Sequence, residues 1–306
     1  MSKKPLVSVC MITYNHEKYI AEAIEGVLMQ AVDFPVEFII ADDCSTDKTP
    51  ELISKTLEKN NDSISIKSFR HESNKGLMGN FLWILEECKG KYVAFCEGDD
   101  IWGDPDKLKK QVHFLENHQN YVATFHQAEI INESGEKIGR RLFPFTEDTS
   151  FSTEKILRGQ LVPLFTAMFV NQKVLSAHKD DVLDLKTGDI LLFSLLSQYG
   201  EICYLNSILP SFYRIHQNGV WSQKSVLEQK MEILLCLEKL SILVAQENRK
   251  FIVREIADYS YEIGKILSNK NDPEFRKYFL LSTIKSFKVL NFKLMVYSLL
   301  KLVIKH

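Results

Sequence analysis

Residues 6–12 (LVSVCMI) form an apolar, β-rich run, and after the polar TYNHEK the positions Tyr19, Ile20, Ala23, Ile24, Val27 and Leu28 recur three and four apart. A short apolar run bounded by turn residues reads as a buried strand, and the three-to-four spacing reads as one face of a helix. The alternation then repeats. Residues 36–41 (VEFIIA) predict a second buried strand closing on Asp42-Asp43-Cys44-Ser45-Thr46-Asp47, after which Thr49-Pro50 predicts a helix with Thr49 as N-cap. Residues 64–69 alternate as a third strand, Asn74-Lys75-Gly76 turns into a helix through Glu87, and residues 92–96 (YVAFC) predict a fourth strand running into Glu97-Gly98-Asp99-Asp100. Asp104-Pro105 caps the next helix, whose Leu108, Val112 and Leu115 share a face. Strands alternating with helices imply right-handed crossovers and an α/β fold: a mostly parallel sheet with helices on both faces.

Beyond residue 120 the strand candidates are looser, at residues 121–131, 164–170, 202–205 and 208–215, around one helix at 189–199. From Val226 onward the propensity is helical, with residues 268–273 (SNKNDP) as the clear break. We therefore expect a domain over residues 1–222, with a nucleotide-binding half (1–120) and an acceptor half (121–222), followed by a helical region over 223–306.

Composition narrows the class. The chain has 306 residues, 45% hydrophobic and 25% charged, which excludes disordered, collagen-like and disulfide-scaffold classes. The N-terminal apolar run is too short for a signal-peptide core, and the six cysteines show no C-x-x-C pair. They read as reduced core thiols of a cytoplasmic protein. A net charge of −2 hides an asymmetry: residues 275–306 carry seven Lys/Arg and no acid, which leaves −9 for residues 1–274. Such a body gives no support for nucleic-acid binding, whereas the tail suits an anionic partner. On a helical wheel of residues 293–306, Lys293, Ser298, Lys301 and Lys305 share one arc opposite Met295, Val296, Leu299, Leu300, Leu302 and Val303. Two outcomes stay open: docking on an anionic membrane surface, as a protein peripheral to the inner face of the cell membrane, or packing on the catalytic domain or a second subunit.

In an open α/β sheet, ligands bind beyond the carboxyl ends of the strands where strand order reverses. Thr13-Tyr14-Asn15, Asp42-Asp43 and Glu97-Gly98-Asp99-Asp100 all stand at such ends. The strings VSVCMITYNHEKYI, IIADDCSTDKT, NKGLMGNF and YVAFCEGDDIW, in this order and spacing, resemble family 2 glycosyltransferases of the GT-A fold, of the bacterial surface-polysaccharide type, over about residues 5–220. The resemblance implies a nucleotide-binding sheet fused to an acceptor-binding half, and transfer of a sugar from a nucleotide diphosphate, UDP favoured, to a hydroxyl of a glycan or lipid-linked acceptor. A diphosphate donor brings negative charge that a divalent cation held by carboxylates neutralises.

Glu97-Gly98-Asp99 matches the family's D-x-D motif with Glu in the first place. By this resemblance Asp99 ligates Mg²⁺ or Mn²⁺, and Glu97 or Asp100 contacts ribose or orients the metal's waters. Asp42 and Asp43 accept from the uracil N–H, Thr13, Tyr14 and Asn15 pack around base and ribose, and Asn74 and Gly76 belong to the third matching string. Asp42-Asp43 is also good turn chemistry, and both roles hold together. Gly188-Asp189 stands where the family has Glu-Asp, which makes Asp189 the general base; helix capping is the alternative. Tyr213-Arg214-Ile215-His216, followed by Gly219 and Trp221, resembles a Y-R-x-H-x-x-G-x-W segment in which His216 completes the metal shell and Arg214 or Trp221 closes over the donor. One base and no nucleophile on the other face imply inversion. Two rivals remain: a sugar nucleotidyltransferase, which would need a glycine-rich basic loop where TYNHEKY stands, and a sugar-nucleotide-binding scaffold without catalysis, which the Glu97 and Gly188 departures keep open.

Overall fold

A computed structural model describes residues 4–58 and 64–303. The chain divides into two compact units, one of residues 1–151, 162–184 and 199–217, the other of residues 152–161, 185–198 and 218–306. The helical unit thus takes in residues 152–161, 185–198 and 218–222, which local sequence assigned to the acceptor half.

In the first unit β1 (Val7–Thr13), α1 (Ile20–Leu28), β2 (Val36–Asp42), α2 (Thr49–Leu57), β3 (Ser65–Arg70), α3 (Gly76–Glu87), β4 (Tyr92–Phe95) and α4 (Lys107–Asn117) follow the predicted order. β1 pairs in parallel with β2 on one side and β4 on the other, and β3 lies outside β2. Strand order therefore reverses at β1, the switch point where ligand crevices open. Every residue of β1, β2 and β4 is buried, because helices cover both faces and apolar runs can fill them. Val9, Met11, Ile24, Phe38, Ile40, Ala94 and Leu108 share that core. The N-cap of α2 is Lys48 rather than Thr49, because Asp47 Oδ1 accepts the Thr49 N–H at 2.9 Å.

The second half of this unit adds β5 (Tyr121–His126), β6 (Ala128–Ile131), β7 (Lys137–Arg141), β8 (Thr149–Phe151), β9 (Met168–Val170), β10 (Glu201–Leu205) and β11 (Ser211–Arg214). The large sheet runs β3-β2-β1-β4-β9-β5-β10-β8, with β9 antiparallel between β4 and β5 and β8 an antiparallel edge. The run 121–131 is two strands and not one. At Gln127 the chain leaves the large sheet, its amide bonding both backbone groups of Phe143 at 2.8 and 3.1 Å, and β6 joins the three-stranded sheet β11-β6-β7. An isolated bridge between Ile101 and Phe212 ties the acidic loop after β4 to β11.

Two short helices, α5 (Thr153–Leu157) in the second unit and α6 (Lys179–Val182) in the first, were not expected. The second unit continues with α7 (Gly188–Leu196), α8 (Val226–Leu243), α9 (Arg249–Asn269), α10 (Phe275–Lys288) and α11 (Phe292–Val303). α8 opens on a reciprocal capping box between Ser225 and Glu228. The predicted break at 268–273 is present, and further breaks follow Leu243 and Lys288. Among the described residues no helix is long and apolar enough to cross a membrane.

Candidate active site

Three loops at the carboxyl ends of β1, β2 and β4 build the site. In the first, Asn15 adopts a left-handed backbone (φ 57°), which asparagine tolerates better than most side chains. Its Oδ1 accepts the Thr46 N–H at 2.8 Å, and its own N–H donates to Ser45 Oγ at 2.9 Å, so the loop after β1 is sewn to the loop after β2. His16 is fixed at two points: its N–H donates to Thr49 Oγ1 at 2.8 Å and its Nδ1 lies 3.2 Å from Thr13 Oγ1. Tyr14 between them is exposed.

Asp42 and Asp43 are both buried. Asp42 Oδ1 accepts from the Ser45 hydroxyl and backbone N–H, and Oδ2 pairs with Arg70 Nε at 3.4 Å. Asp43 Oδ1 accepts the Lys75 N–H at 2.7 Å, its carbonyl accepts from Asn74 Nδ2, and Asn74 Oδ1 in turn accepts the Gly76 N–H. Turn chemistry is therefore present at both aspartates, and at Asp43 it locks the loop to the third matching string.

The acidic loop after β4 sits against the first loop. A Cβ on Gly98 would fall 2.7 Å from Thr13 Oγ1 and 2.9 Å from His16 Nδ1, so only glycine admits this approach. Asp99 Oδ2 then lies 3.0 Å from His216 Nε2 and 3.8 Å from His16 Nε2. Burial pushes the Asp99 carboxyl up, but the charge of His16 and the His216 hydrogen bond outweigh it and hold the group below the usual range. The neighbouring Asp100 behaves oppositely. Burial, then the charges of Asp99 and Glu97, push its carboxyl well above the usual range, while Oδ1 accepts the Arg214 N–H at 3.1 Å. Two adjacent carboxylates are thus shifted in opposite directions, the one facing two imidazoles down and the one that anchors β11 up.

His16, Asp99 and His216 offer one ligand atom each, all within 4.8 Å of one another. Two imidazole nitrogens and a carboxylate oxygen form a donor set suited to Mn²⁺ or another first-row divalent ion, and less to Mg²⁺, which prefers oxygen throughout. Sequence reasoning reached Asp99 and His216 but missed His16. The available signal was its place three residues beyond Thr13, in the loop that the switch point brings against the acidic loop.

Arg214 calls for a correction. It is only 3% exposed, and its Nε donates to the Asp99 carbonyl, Nη1 to the Glu133 carbonyl and Nη2 to Glu22 Oε2. Three of its five donors are spent inside the protein, and its guanidinium lies 5.0 Å from the Tyr19 ring centre. It braces the acidic loop and does not stand free to close over a donor. Glu97 is partly buried at the head of that loop.

Asp189 and Trp221 belong to the second unit. Thr187, not Asp189, is the N-cap of α7; Asp189 is the second helical residue and its Oδ1 accepts the Ile190 N–H at 2.8 Å. Burial raises the Asp189 carboxyl against the lowering effect of that bond, a shift of the kind a general base requires. Trp221 is partly buried, and its carbonyl accepts from Gln229 Nε2.

Comparison with known proteins gives the family and the fold. An uncharacterized protein of Mycobacterium tuberculosis is 32% identical over 267 residues, 85% of this chain and 75% of that protein. The putative teichuronic acid biosynthesis glycosyltransferase TuaG of Bacillus subtilis is 29% identical over 72% of this chain and 83% of its own length. In structure, the chain is similar to residues 1–349 of Staphylococcus aureus TarS in complex with UDP-GlcNAc, with a TM-score of 0.60 at 19% identity, covering 92% of this chain and 91% of that one. That likeness carries the GT-A fold. The family model described as glycosyl transferase family 2 matches residues 8–175, the segment holding β1, β2, β4 and their loops, and the chain belongs to that family.

Proposed function

We propose that this glycosyltransferase moves a sugar from a nucleotide diphosphate donor, UDP favoured, to a hydroxyl of a glycan or lipid-linked acceptor in surface polysaccharide synthesis, with inversion at the anomeric carbon. The observation that carries the metal-dependent reading is the convergence of His16, Asp99 and His216 at the switch point. These three side chains would hold a divalent cation, and Thr13 and Thr49 keep His16 turned toward it. When bound, the cation would neutralise the diphosphate and ease its departure. A carboxylate at Asp42 or Asp43 suits a base that presents an N–H between two carbonyls, which favours uridine over cytidine, and Thr13, Tyr14, Asn15, Asn74 and Gly76 would shape the nucleoside pocket. The UDP-GlcNAc held by TarS supports the same base. Glu97 would contact ribose, and Trp221 would face the sugar. Asp189 would accept the proton of the attacking hydroxyl, its raised carboxyl poised nearer to neutrality than an ordinary aspartate.

A thermal-shift panel of nucleotide sugars, with and without Mn²⁺, tests this reading, since a ligand that binds only the folded chain raises its melting temperature. The expected result is a shift with UDP-sugars that grows with Mn²⁺. A shift confined to nucleoside triphosphates would favour a nucleotidyltransferase instead. Binding without metal-dependent donor hydrolysis would favour a scaffold.

A further inference from the structure

Beyond Phe279 the last two helices are built inside out. In α10 and α11 the fully buried positions include Ser282, Ser286 and Ser298, and the Ser298 hydroxyl donates to Ser282 Oγ at 2.9 Å across the seam. On α9, Ser260 is also fully buried and Gly264 admits the Phe279 ring where a Cβ would come within 2.9 Å. Small residues thus let these helices approach closely, as in helix pairs that live in an apolar medium. Tyr278 and Phe279 at the start of α10 are buried, but most of the large apolar side chains beyond them face outward. Leu280, Ile284 and Phe287 are exposed at i, i+4 and i+7 on α10, followed by Leu290 in the turn and by Phe292, Val296, Leu299 and Leu300 on one face of α11. Exposed Arg276, Lys277 and Lys288 flank the first stripe and Lys293 the second.

An amphipathic helix in water buries its apolar side, so an outward apolar face on two successive helices marks a surface with a partner. The chemistry of the rim selects it. With seven Lys/Arg and no acid in residues 275–306, a two-fold contact between copies would set cation against cation. The same rim complements anionic headgroups. The helices have 14 and 12 residues, about 21 and 18 Å at 1.5 Å per residue, too short for a hydrocarbon core of ~30 Å. We infer that α10 and α11 form an interfacial hairpin that lies on an anionic lipid surface, Phe287, Leu290 and Phe292 entering the acyl boundary and the flanking cations resting among the headgroups. The seam turns the polar arc of α11 inward at Ser298, so the alternative in which its apolar arc packs on the protein does not hold for Val296, Leu299 and Leu300; Lys305 lies outside the described residues.

The test needs no donor, so it is independent of the transferase reading. The full chain is floated with phosphatidylcholine vesicles with and without phosphatidylglycerol, at low and high salt, beside Phe287→Ser/Phe292→Ser and Lys288→Glu/Lys293→Glu. The expected result is capture by the anionic vesicles at low salt, weakened by high salt, and lower by about tenfold or more in each double variant. Neither pair removes a buried group, and unchanged melting temperatures confirm folded variants. Absence of capture at low salt, or capture undiminished in both variants, overturns the inference. Lipid-free self-association that the Phe variant abolishes assigns the face to a second copy and overturns it as well.

Discussion

The acidic loop in the first unit and the α10–α11 hairpin in the second invert each other's rule of burial. In the loops and strand ends of the first unit the polar groups are inside: Asp42, Asp43, Asp100, Arg214 and His216 are buried, beside strands whose residues are buried without exception. In the hairpin Ser282, Ser286 and Ser298 are inside, beside Tyr278 and Phe279, while Phe287, Leu290 and Phe292 are out. Burying a polar group is costly unless it is paired, and here most of the buried groups are paired to each other, which holds the site in one geometry before any ligand arrives. Leaving apolar area in water is costly too, and nothing within the hairpin offsets it. The first pattern marks a cluster of polar groups held in place by its own bonds, the second an apolar face left in contact with water.

The largest effect that could break this comparison is at the centre of the first pattern. Asp99→Ala removes the one carboxylate that faces both imidazoles, and transfer should fall by ~10³-fold or more, with loss of the Mn²⁺-dependent part of nucleotide binding. The melting temperature should change little, because the side chain is partly exposed. Near-normal transfer in Mn²⁺ would remove Asp99 from the metal site.

In the second unit, Asp189→Asn tests whether that unit contributes chemistry as well as surface. Shape and the bond from the Ile190 N–H survive, while the proton acceptor is lost. Donor affinity should stay near wild type and the transfer rate fall ~10²–10⁴-fold. The wild-type rate should also drop on the acid side with a midpoint above the ordinary aspartate range, since burial raises this carboxyl and only its deprotonated form accepts a proton. A fall in melting temperature with unchanged kinetics would reduce Asp189 to a helix-stabilising role.

Much of the first pattern was legible in the sequence. β1, β2, β3 and β4 lie within a residue or so of their predicted spans: β1, β2 and β4 because a strand covered on both faces is written as a largely apolar run, and the edge strand β3 because its residues alternate. The candidate site followed from knowing which strand ends converge, and His16 was overlooked because a histidine inside a polar loop carries no local mark. β7 (KIGRR) was illegible since all five residues are exposed and show no apolar alternation, although it pairs with β6 across a short local turn. The turn between α10 and α11 was equally hidden: it holds no glycine or proline, and Leu290 itself takes the left-handed backbone (φ 56°). Which helices group with α7 depends on packing between segments far apart in the chain, which no local pattern encodes.

A smaller effect sharpens the rule that polar groups are inside. Lys107 is fully buried, with Nζ 2.8 Å from Gln111 Oε1 and 4.0 Å from the centre of the Trp102 ring, and burial brings its ammonium down to about 7. The folded chain gives up this proton near pH 7 and the unfolded chain near 10.5. Between those values the unfolded state binds more protons, so this group's contribution to stability rises with pH, by up to ~1.4 kcal/mol per unit, is complete above the unfolded value and is lost as pH falls through 7. Lys107→Met keeps the bulk and removes the titration. The gap between variant and wild type in urea unfolding should narrow by a few kcal/mol from pH 7 to pH 10. Parallel curves would mean that the ammonium finds a partner or solvent.

The smallest expected effect is the most direct test of the inverted hairpin. Phe287 is 64% exposed, so Phe287→Ser should alter the unfolding free energy in lipid-free buffer by no more than about 0.5 kcal/mol, the usual limit for surface changes. Ser282, fully buried against Ser298, should respond in the opposite sense to intuition. Ser282→Leu makes the helix more apolar and has a good helix former, yet it overpacks a seam that holds α10 against α11 and deletes a hydrogen bond, at a cost of roughly 1–3 kcal/mol. Urea melts of the two variants give the ranking directly. If the phenylalanine proves the costlier loss, α10 is rotated about its axis from the orientation described, its apolar stripe faces a helix, and the contrast between the two regions fails at its outer end.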